Sequence, residues 1–320
     1  MTKIIKIKDC FHGKRIEKIL KANFPNISNR EWKISLDKKH ITLSDNSPVN
    51  WGDRYAVGTE IKIIKLPPQN NNWLPLENKM NKIKIIAENE FWLVLDKPSG
   101  MHSLPLASSD NENAASYLRY LRPEIVEKAD PPAEGGIVNR LDYWTSGLLV
   151  AAKTPQLYIK LRGCLSNHRL EKEYIALVNG KAPQKRQWLH GKVAGTEKDR
   201  TIFTPGEGGK GKRAISLLEN LDYNRGISLV KLTTRFGCRH QIRVQLQSLN
   251  IPIMGDVKYG AESLAFPGFF LWARKITIPV NPEQKRSKKS TLSSTHLPAN
   301  WIDLLKKTGF KPHFPHLKSF

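Results

Sequence analysis

The apolar run Leu148 to Ala152 follows a Thr145-Ser146-Gly147 turn, and an Arg-Leu-Asp at residues 140–142 stands just before that turn. A short apolar run bounded by turn residues suggests a buried strand. A carboxylate ahead of such a strand sits at its mouth, where charge is costly unless something is paired with it. Catalytic acids tend to occupy such positions, and Asp142 is the candidate. The segment alone leaves a plainer reading open, in which Asp142 caps the Thr-Ser-Gly turn, since Asp is a common turn residue.

At 320 residues the chain has room for two domains. It divides at residues 66–80, LPPQNNNWLPLENKM, a Pro- and Asn-rich stretch without period that reads as a linker. Residues 1–65 form a compact basic unit, in which Ile16, Ile19, Leu20 and Phe24 fall on one helical face with Pro25 just past the end. Ser28 and Glu31 predict a capping box on a second short helix bearing Trp32 and Leu36. Two short strands are expected near Ile41 to Leu43 and Glu60 to Ile64, with a turn at Ser44-Asp45-Asn46.

Residues 81–305 carry strand-like segments at 82–87, 91–96, 147–152, 173–178, 227–234 and 269–278. Helical patterns fall at 155–168 and at 240–249, where Ile242, Leu246 and Leu249 share a face. Runs of strands with occasional helices indicate the α+β class rather than a wound parallel sheet. The expected architecture is a mixed, mostly antiparallel sheet with flanking helices, behind a small α+β N-terminal unit. Residues 306–320 read as a basic tail.

The chain has 52 Lys and Arg against 29 Asp and Glu, a net charge of +23. That surplus favours a polyanion partner and salt-sensitive binding, but charge alone does not separate RNA from DNA or an anionic membrane. No stretch approaches the roughly 20 apolar residues of a membrane span. The opening MTKIIKIKDC lacks an apolar core with a small-residue cleavage site, so no signal peptide is expected. Cys10, Cys164 and Cys238 are odd in number and lack metal-type spacing, which suits free thiols in a reducing cytoplasm.

Within the basic stretch 185–213, GEGGKGK at 206–212 lacks the Walker spacing and the Ser or Thr after its Lys, which excludes a nucleotide-binding loop. The nine histidines are scattered, so no metal site is expected, and His313 and His316 lack partners at ligand spacing. His102, His168 and His240 read as hydrogen-bonded structural residues.

Four segments in order resemble the RluA-type RNA pseudouridine synthases across residues 81–300. NRLDYWTSG (139–147) is similar to that family's His-Arg-Leu-Asp, two variable residues, Thr-Ser-Gly. IIAENEFWLVLDKPSGMHSLP (85–105) resembles its strand pair ending in Lys-Pro-x-Gly, and LEKEYIALVNG (170–180) its Lys-x-Tyr strand. GCRHQIRVQLQSLNIPIMGDVKYG (237–260) resembles its His-Gln-Ile-Arg motif with a later Gly-Asp-x-x-Tyr-Gly. The N-terminal unit resembles the alpha-L, ribosomal-protein-type RNA-binding motif.

The resemblance implies an isomerase converting particular uridines of structured RNA to pseudouridine, with Asp142 as catalytic carboxylate and Arg243 as the cation paired with it. It implies that Arg140 enters the RNA where the uridine is extruded and that Tyr174 stacks against the target ring. If residues 140–142 are extended, Arg140 and Asp142 point to the same face. Arg15, Lys18, Arg30, Lys33, Lys38 and Lys39 would contact phosphates, although any one of them alone reads as a solvated helix residue. The expected substrate is large-subunit ribosomal RNA, with transfer RNA open, acted on by a monomer in the cytoplasm. No cofactor is expected, because the rearrangement involves no net redox change.

Breaking the bond from sugar to base nitrogen needs a group that adds to the nucleoside or takes a proton from its ribose, and an ionised carboxylate can do either. The chain departs from the family pattern at Asn139 in place of His and at Cys238 in place of Arg, with Tyr143 and Trp144 replacing a polar pair. Arg239 is a candidate stand-in for the missing charge. Two other classes remain open on sequence: a catalytically silent RNA-binding or ribosome-assembly protein, and a hydrolase using Asp142 as general base. The hydrolase needs a second acid or a metal, which the segment does not supply.

Overall fold

The computed structural model describes residues 2–24, 27–67, 73–79, 83–196, 200–265, 267–284, 286–294, 297 and 299–310. Pro25, part of the 66–80 linker and the tail beyond residue 310, with His313 and His316, lie outside the described residues.

The N-terminal unit runs β1 (Lys3–Lys6), α1 (Ile16–Asn23), α2 (Asn29–Asp37), β2 (Ile41–Leu43) and β3 (Glu60–Ile63). Ile16, Ile19 and Leu20, at i, i+3 and i+4, enter one core with Trp32, Leu36, Ile41, Ile61 and Ile63. The strands form an antiparallel sheet in the order β1–β3–β2, so the expected hairpin gains a third strand. That strand, Lys-Ile-Ile-Lys, is mostly exposed and is defined by backbone pairing with β3 rather than by an apolar pattern.

Half of the expected capping box forms. Ser28 Oγ accepts the Glu31 N–H at 3.1 Å. The Glu31 carboxylate turns away and accepts the backbone N–H of Ser108 at 2.9 Å, which ties α2 to the larger unit.

The larger unit runs β4 (Lys84–Glu88), β5 (Trp92–Lys97), α3 (Ala114–Leu121), α4 (Pro123–Val126), β6 (Ser146–Ala152), α5 (Pro155–Ser166) and β7 (Glu171–Asn179). It continues through β8 (Gln187–Gly195), β9 (Thr201–Pro205), β10 (Lys212–Asn224), β11 (Ile227–Thr234), α6 (Gln241–Gln247), β12 (Leu271–Pro279), β13 (Lys289–Ser293) and α7 (Ala299–Thr308). Ten strands make one sheet in the order β4–β5–β6–β12–β7–β11–β10–β8–β9, with β13 beside β12. Every named pairing is antiparallel except β6 with β12. The fold is the expected mixed α+β class.

The sheet has two halves. Residues of α3 and α4 share a core with β5 and β6, and α5 shares a second core with the same two strands. In the other half α6 and α7 serve two further cores that share β7, β11 and β12. With helices on both faces, all seven residues of β6 are buried, which is why its sequence is an unbroken apolar run rather than an alternation.

The stretch 185–213, read from sequence only as basic, forms β8, β9 and the start of β10, with GEGGKGK in the connection between β9 and β10. Along β8 the residues alternate, with Leu189, Gly191 and Val193 inward and Trp188, His190, Lys192 and Ala194 outward. Its glycine, histidine and lysine hide the period that a half-buried strand ordinarily displays.

The halves meet where β6 and β12 pair as Ser146 with Trp272 and Gly147 with Ala273. Gly147 has φ 114°, and a Cβ there would lie 2.2 Å from the carbonyl oxygen of Ala273. Glycine is required on both counts. Gly147→Ala is expected to destabilise the protein by at least about 3 kcal/mol, as left-handed strain and displacement of the β12 backbone combine. Urea unfolding measures this, and a loss of under about 1 kcal/mol would mean that the seam is not a close contact.

Candidate active site

Asp142 lies in the irregular segment 139–145 that leads into β6 at the seam. Two sets of contacts hold this segment. Asn139, where the family resemblance expects His, is buried and bonds the β6 backbone: its Oδ1 accepts from Val150 N–H at 2.8 Å and its Nδ2 donates to Leu148 O at 3.3 Å. An amide offers donor and acceptor at once, so the replacement is a structural clamp.

From the other side come residues 97–103. Ser99 Oγ donates to Trp144 O at 2.7 Å, Ser103 Oγ both accepts from Leu141 N–H and donates to Leu141 O, and Gly100 and Met101 N–H groups bond Tyr143 O. Lys97 is fully buried, and its ammonium donates to the carbonyls of Pro98, Met101 and Tyr143 at 2.9, 2.8 and 3.3 Å. Burial pulls its pKa down to about 7, opposed by the charges of Asp142 and Asp96. The Lys-Pro-x-Gly motif thus braces the loop that carries Asp142.

The opposite wall comes from α6 and the segment after it. Arg243 Nη1 donates to Asp142 Oδ2 at 3.1 Å. Its Nε and Nη2 donate to the two oxygens of Asp256 at 2.7 Å each, a two-pronged contact. The guanidinium carbon stands 4.8 Å from the Tyr259 ring centre and 4.4 Å from that of Phe269. Burial works against the charge on Arg243, yet the two carboxylates hold its pKa above the ordinary value.

Asp256 is 1% exposed and the Asp142 side chain 26%, so one carboxylate is sealed in and the other is partly open to solvent. Sequence reasoning passed over Asp256, although it is the acid of Gly-Asp-x-x-Tyr-Gly. The signal was an acid in a segment already matched to the family, without a stated role.

His240 closes the group. Its Nε2 is 3.9 Å from Asp142 Oδ1, and its Nδ1 is 2.6 Å from the Tyr259 hydroxyl, which also bonds Thr201. The expected structural role for His240 holds, but it stands beside the candidate acid. Tyr174 on β7 is half-buried; burial, and then the Asp142 charge, push its phenol pKa well above the ordinary value.

Arg140 is exposed, and residues 140–142 lie outside any named strand. Cys238 lies apart from Asp142: its N–H bonds Gln241 Oε1, and its thiol lies 3.4 Å from Arg213 O. Arg239 is exposed, and the guanidinium bonded to Asp142 is that of Arg243. Arg15, Lys18, Arg30, Lys33, Lys38 and Lys39 are all exposed, and Lys33 stands over the Trp51 ring at 5.0 Å. The site brings together Asp142, Arg243 and Tyr174 of the expected residues, leaves Arg140 at its edge and adds Asp256, His240 and Lys97. Among the described residues no three His, Cys, Asp or Glu side chains converge as a metal site requires.

The arrangement leaves one carboxylate partly open to solvent, oriented by a fixed cation, beside an imidazole and a phenol that are neutral near pH 7. Burial pulls the His240 pKa down from 6.5 to about 4, opposed by Asp142 and aided by Arg243. An unfolded chain takes up that proton more readily than the folded one. The associated stability is therefore complete above the ordinary value of 6.5 and is lost as pH falls from there toward 4. The denaturation midpoint of the parent is expected to drop more between about pH 7 and about pH 4.5 than that of His240→Gln. Equal drops would remove His240 from the acid sensitivity of the fold.

Residues 91–248 match the family described as RNA pseudouridylate synthase, and the matched span includes Asp142, Tyr174 and Arg243. An uncharacterised RNA pseudouridine synthase of Chlorobaculum parvum is 30% identical over 255 residues, covering 78% of this chain and 76% of the relative. Ribosomal large subunit pseudouridine synthase C of Buchnera aphidicola is 29% identical over 275 residues, covering 83% of each chain. In fold, human RNA pseudouridylate synthase domain containing 4 superposes with a TM-score of 0.54 at 19% identity, covering 70% of this chain and 92% of that one. With the likeness extending over most of its length, this chain belongs to the RNA pseudouridylate synthase family, enzymes that isomerise uridine within RNA.

Proposed function

We propose that the chain isomerises uridine to pseudouridine in large-subunit ribosomal RNA, as a monomer in the cytoplasm, with Asp142 as its catalytic carboxylate. The observation that carries the catalytic part is the Asp142 carboxylate at the cleft, bonded to an Arg243 that Asp256 locks in place. The choice of RNA is supported by relatives named for the ribosomal large subunit and by the net charge of +23.

In this reading the uridine leaves the RNA stack and enters the cleft. Arg140, exposed two residues before Asp142, fills the space the base vacates. Asp142 adds to the nucleoside or removes a ribose proton, and the bond from sugar to base nitrogen breaks. The freed base turns and rejoins the sugar through carbon 5. The proton on carbon 5 is then lost and the released nitrogen carries one, so atoms balance without a cofactor. Tyr174, kept neutral by burial and by Asp142, stacks on the base and can pass a proton through its hydroxyl rather than take one as a phenolate. The N-terminal unit, residues 1–65, supplies the alpha-L-type RNA grip through Arg15, Lys18, Arg30, Lys33, Lys38 and Lys39, and the catalytic unit follows the linker.

Asp142→Asn is expected to lower pseudouridine formation at least about a thousandfold while leaving RNA affinity largely intact. Arg243→Ala should be close to inactive, and Arg243→Lys should recover only part of the rate, because an ammonium cannot contact Asp256 with two prongs. Asp256→Asn, which loosens the anchor, should cost on the order of a hundredfold. Pseudouridine counting in ribosomal RNA treated with each variant reads these rates. A parent-like Asp142→Asn would end the assignment of that residue.

Removal of residues 1–70 is expected to weaken binding of large folded RNA and to flatten its salt dependence, with short RNA affected less. Filter binding across a salt series measures both. An unchanged slope would assign the N-terminal unit some other task.

A further inference from the structure

Away from Asp142 the surface holds an open cavity of about 220 Å³ lined by His168, Arg169, Arg235, Pro279, Ser287 and Lys289. None of these residues bonds Asp142. They come from three separate places: the turn after α5, the exit of β11, and the facing ends of β12 and β13. The lining offers two guanidinium groups, an ammonium, an imidazole and a hydroxyl, and no carboxylate.

Several of these groups are held in place. Arg235 Nε donates to Glu171 Oε2 at 2.9 Å, and its Nη2 stands 2.8 Å from the same oxygen as an ion pair. Arg169 Nη2 donates to Gln284 O at 3.4 Å. His168 takes a left-handed backbone at φ 55°, with its ring 4.0 Å from that of Phe236 and its Nδ1 3.4 Å from Arg235 O. Exposed Arg286 and Lys288 add charge on the same connection between β12 and β13. A merely solvated basic patch does not call for a concave wall with basic side chains from three parts of the chain, two of them guanidinium groups held by hydrogen bonds.

Two routes along the chain fix how far this cavity stands from the cleft. Arg169 is five residues from Tyr174, and Arg235 is five residues from His240. Five extended residues span at most about 18 Å, so the backbones of Arg169 and Arg235 lie within that distance of those of Tyr174 and His240, whose side chains neighbour Asp142. A strand with its uridine in the cleft can carry a phosphate a few nucleotides away into the cavity. Arg169, Lys289 and the Ser287 hydroxyl share this lining beside an Arg235 paired with Glu171, and cationic donors of this kind suit the several oxygens of a phosphodiester.

We infer that this cavity takes a backbone phosphate of the RNA next to the nucleotide being isomerised, as a second anchor separate from the N-terminal unit. The inference rests on the reading of RNA as substrate. The test uses the full chain with a large-subunit ribosomal RNA transcript, comparing Arg169→Gln/Lys289→Gln with the charge-keeping Arg169→Lys/Lys289→Arg.

The neutral pair is expected to lose about tenfold in affinity, and its slope of log affinity against log salt should flatten by about one. The charge-keeping pair should stay within about twofold of the parent. Equal affinity and slope in the neutral pair would overturn the proposal. So would an equal loss in both pairs, which would mark a structural role. Pseudouridine formation is scored separately in the parent and in Asp142→Asn. A parent that binds with the steeper slope yet forms no pseudouridine sinks the catalytic reading and leaves the phosphate site standing.

Discussion

The guanidinium of Arg243 is the contact on which the site depends. It spends two donors on Asp256 and one on Asp142, and both of its neighbouring rings are aromatic. A buried cation is costly unless its donors are satisfied with good geometry. Asp256 takes two of those donors at 2.7 Å each, and Asp142 a third at 3.1 Å, so the tighter pair does most of the anchoring. The third donor can then be directed at a half-exposed carboxylate that stays open to a ligand. Two acids on one cation acquire different roles because one is sealed and the other faces the cleft.

Asp142 and its cation come from opposite halves of the sheet. The acid belongs to the loop before β6, and Arg243, His240 and Asp256 belong to α6 and the segment that follows. The halves are joined by a short parallel contact at Gly147 and Ala273, five residues after the acid. Lys97, Ser99 and Ser103 brace the acid loop from one side, and the Trp144 ring packs against Gly100 and Gly268. Loops seldom hold a side chain to fractions of an ångström unless they are bonded along their length. Here nearly every residue from 139 to 145 has a backbone or side-chain partner.

Much of this was legible before the coordinates. The unbroken apolar run after Asp142 announced a buried strand, and the ordered motifs named Asp142, Tyr174 and Arg243 together. What stayed hidden has physical causes. β8 and β10 place small or polar residues such as Gly191, Ala214 and Ser216 inward, where a close backbone or a buried hydrogen bond replaces apolar bulk. α6 buries Gln241, Arg243 and Gln245 along with its apolar face, so its polar residues mimic a solvated side. The Ser28–Glu31 box failed in one half because Ser108, far away in sequence, competed for the carboxylate. Asn139 and Cys238, which looked like parallel losses, differ: one clamps β6 and the other stands outside the acid cluster.

The split origin of the site also bears on synthesis. A ribosome releasing this chain from its N-terminus delivers Asp142 and its β5–β6 support early, while Arg243, Asp256 and β12 emerge much later. Until then the acid has no cation and the seam has no second strand. A nascent or truncated chain therefore lacks the Asp142–Arg243–Asp256 cluster until the late half docks. Assembly of that cluster thus marks completion of the whole sheet rather than the folding of either half.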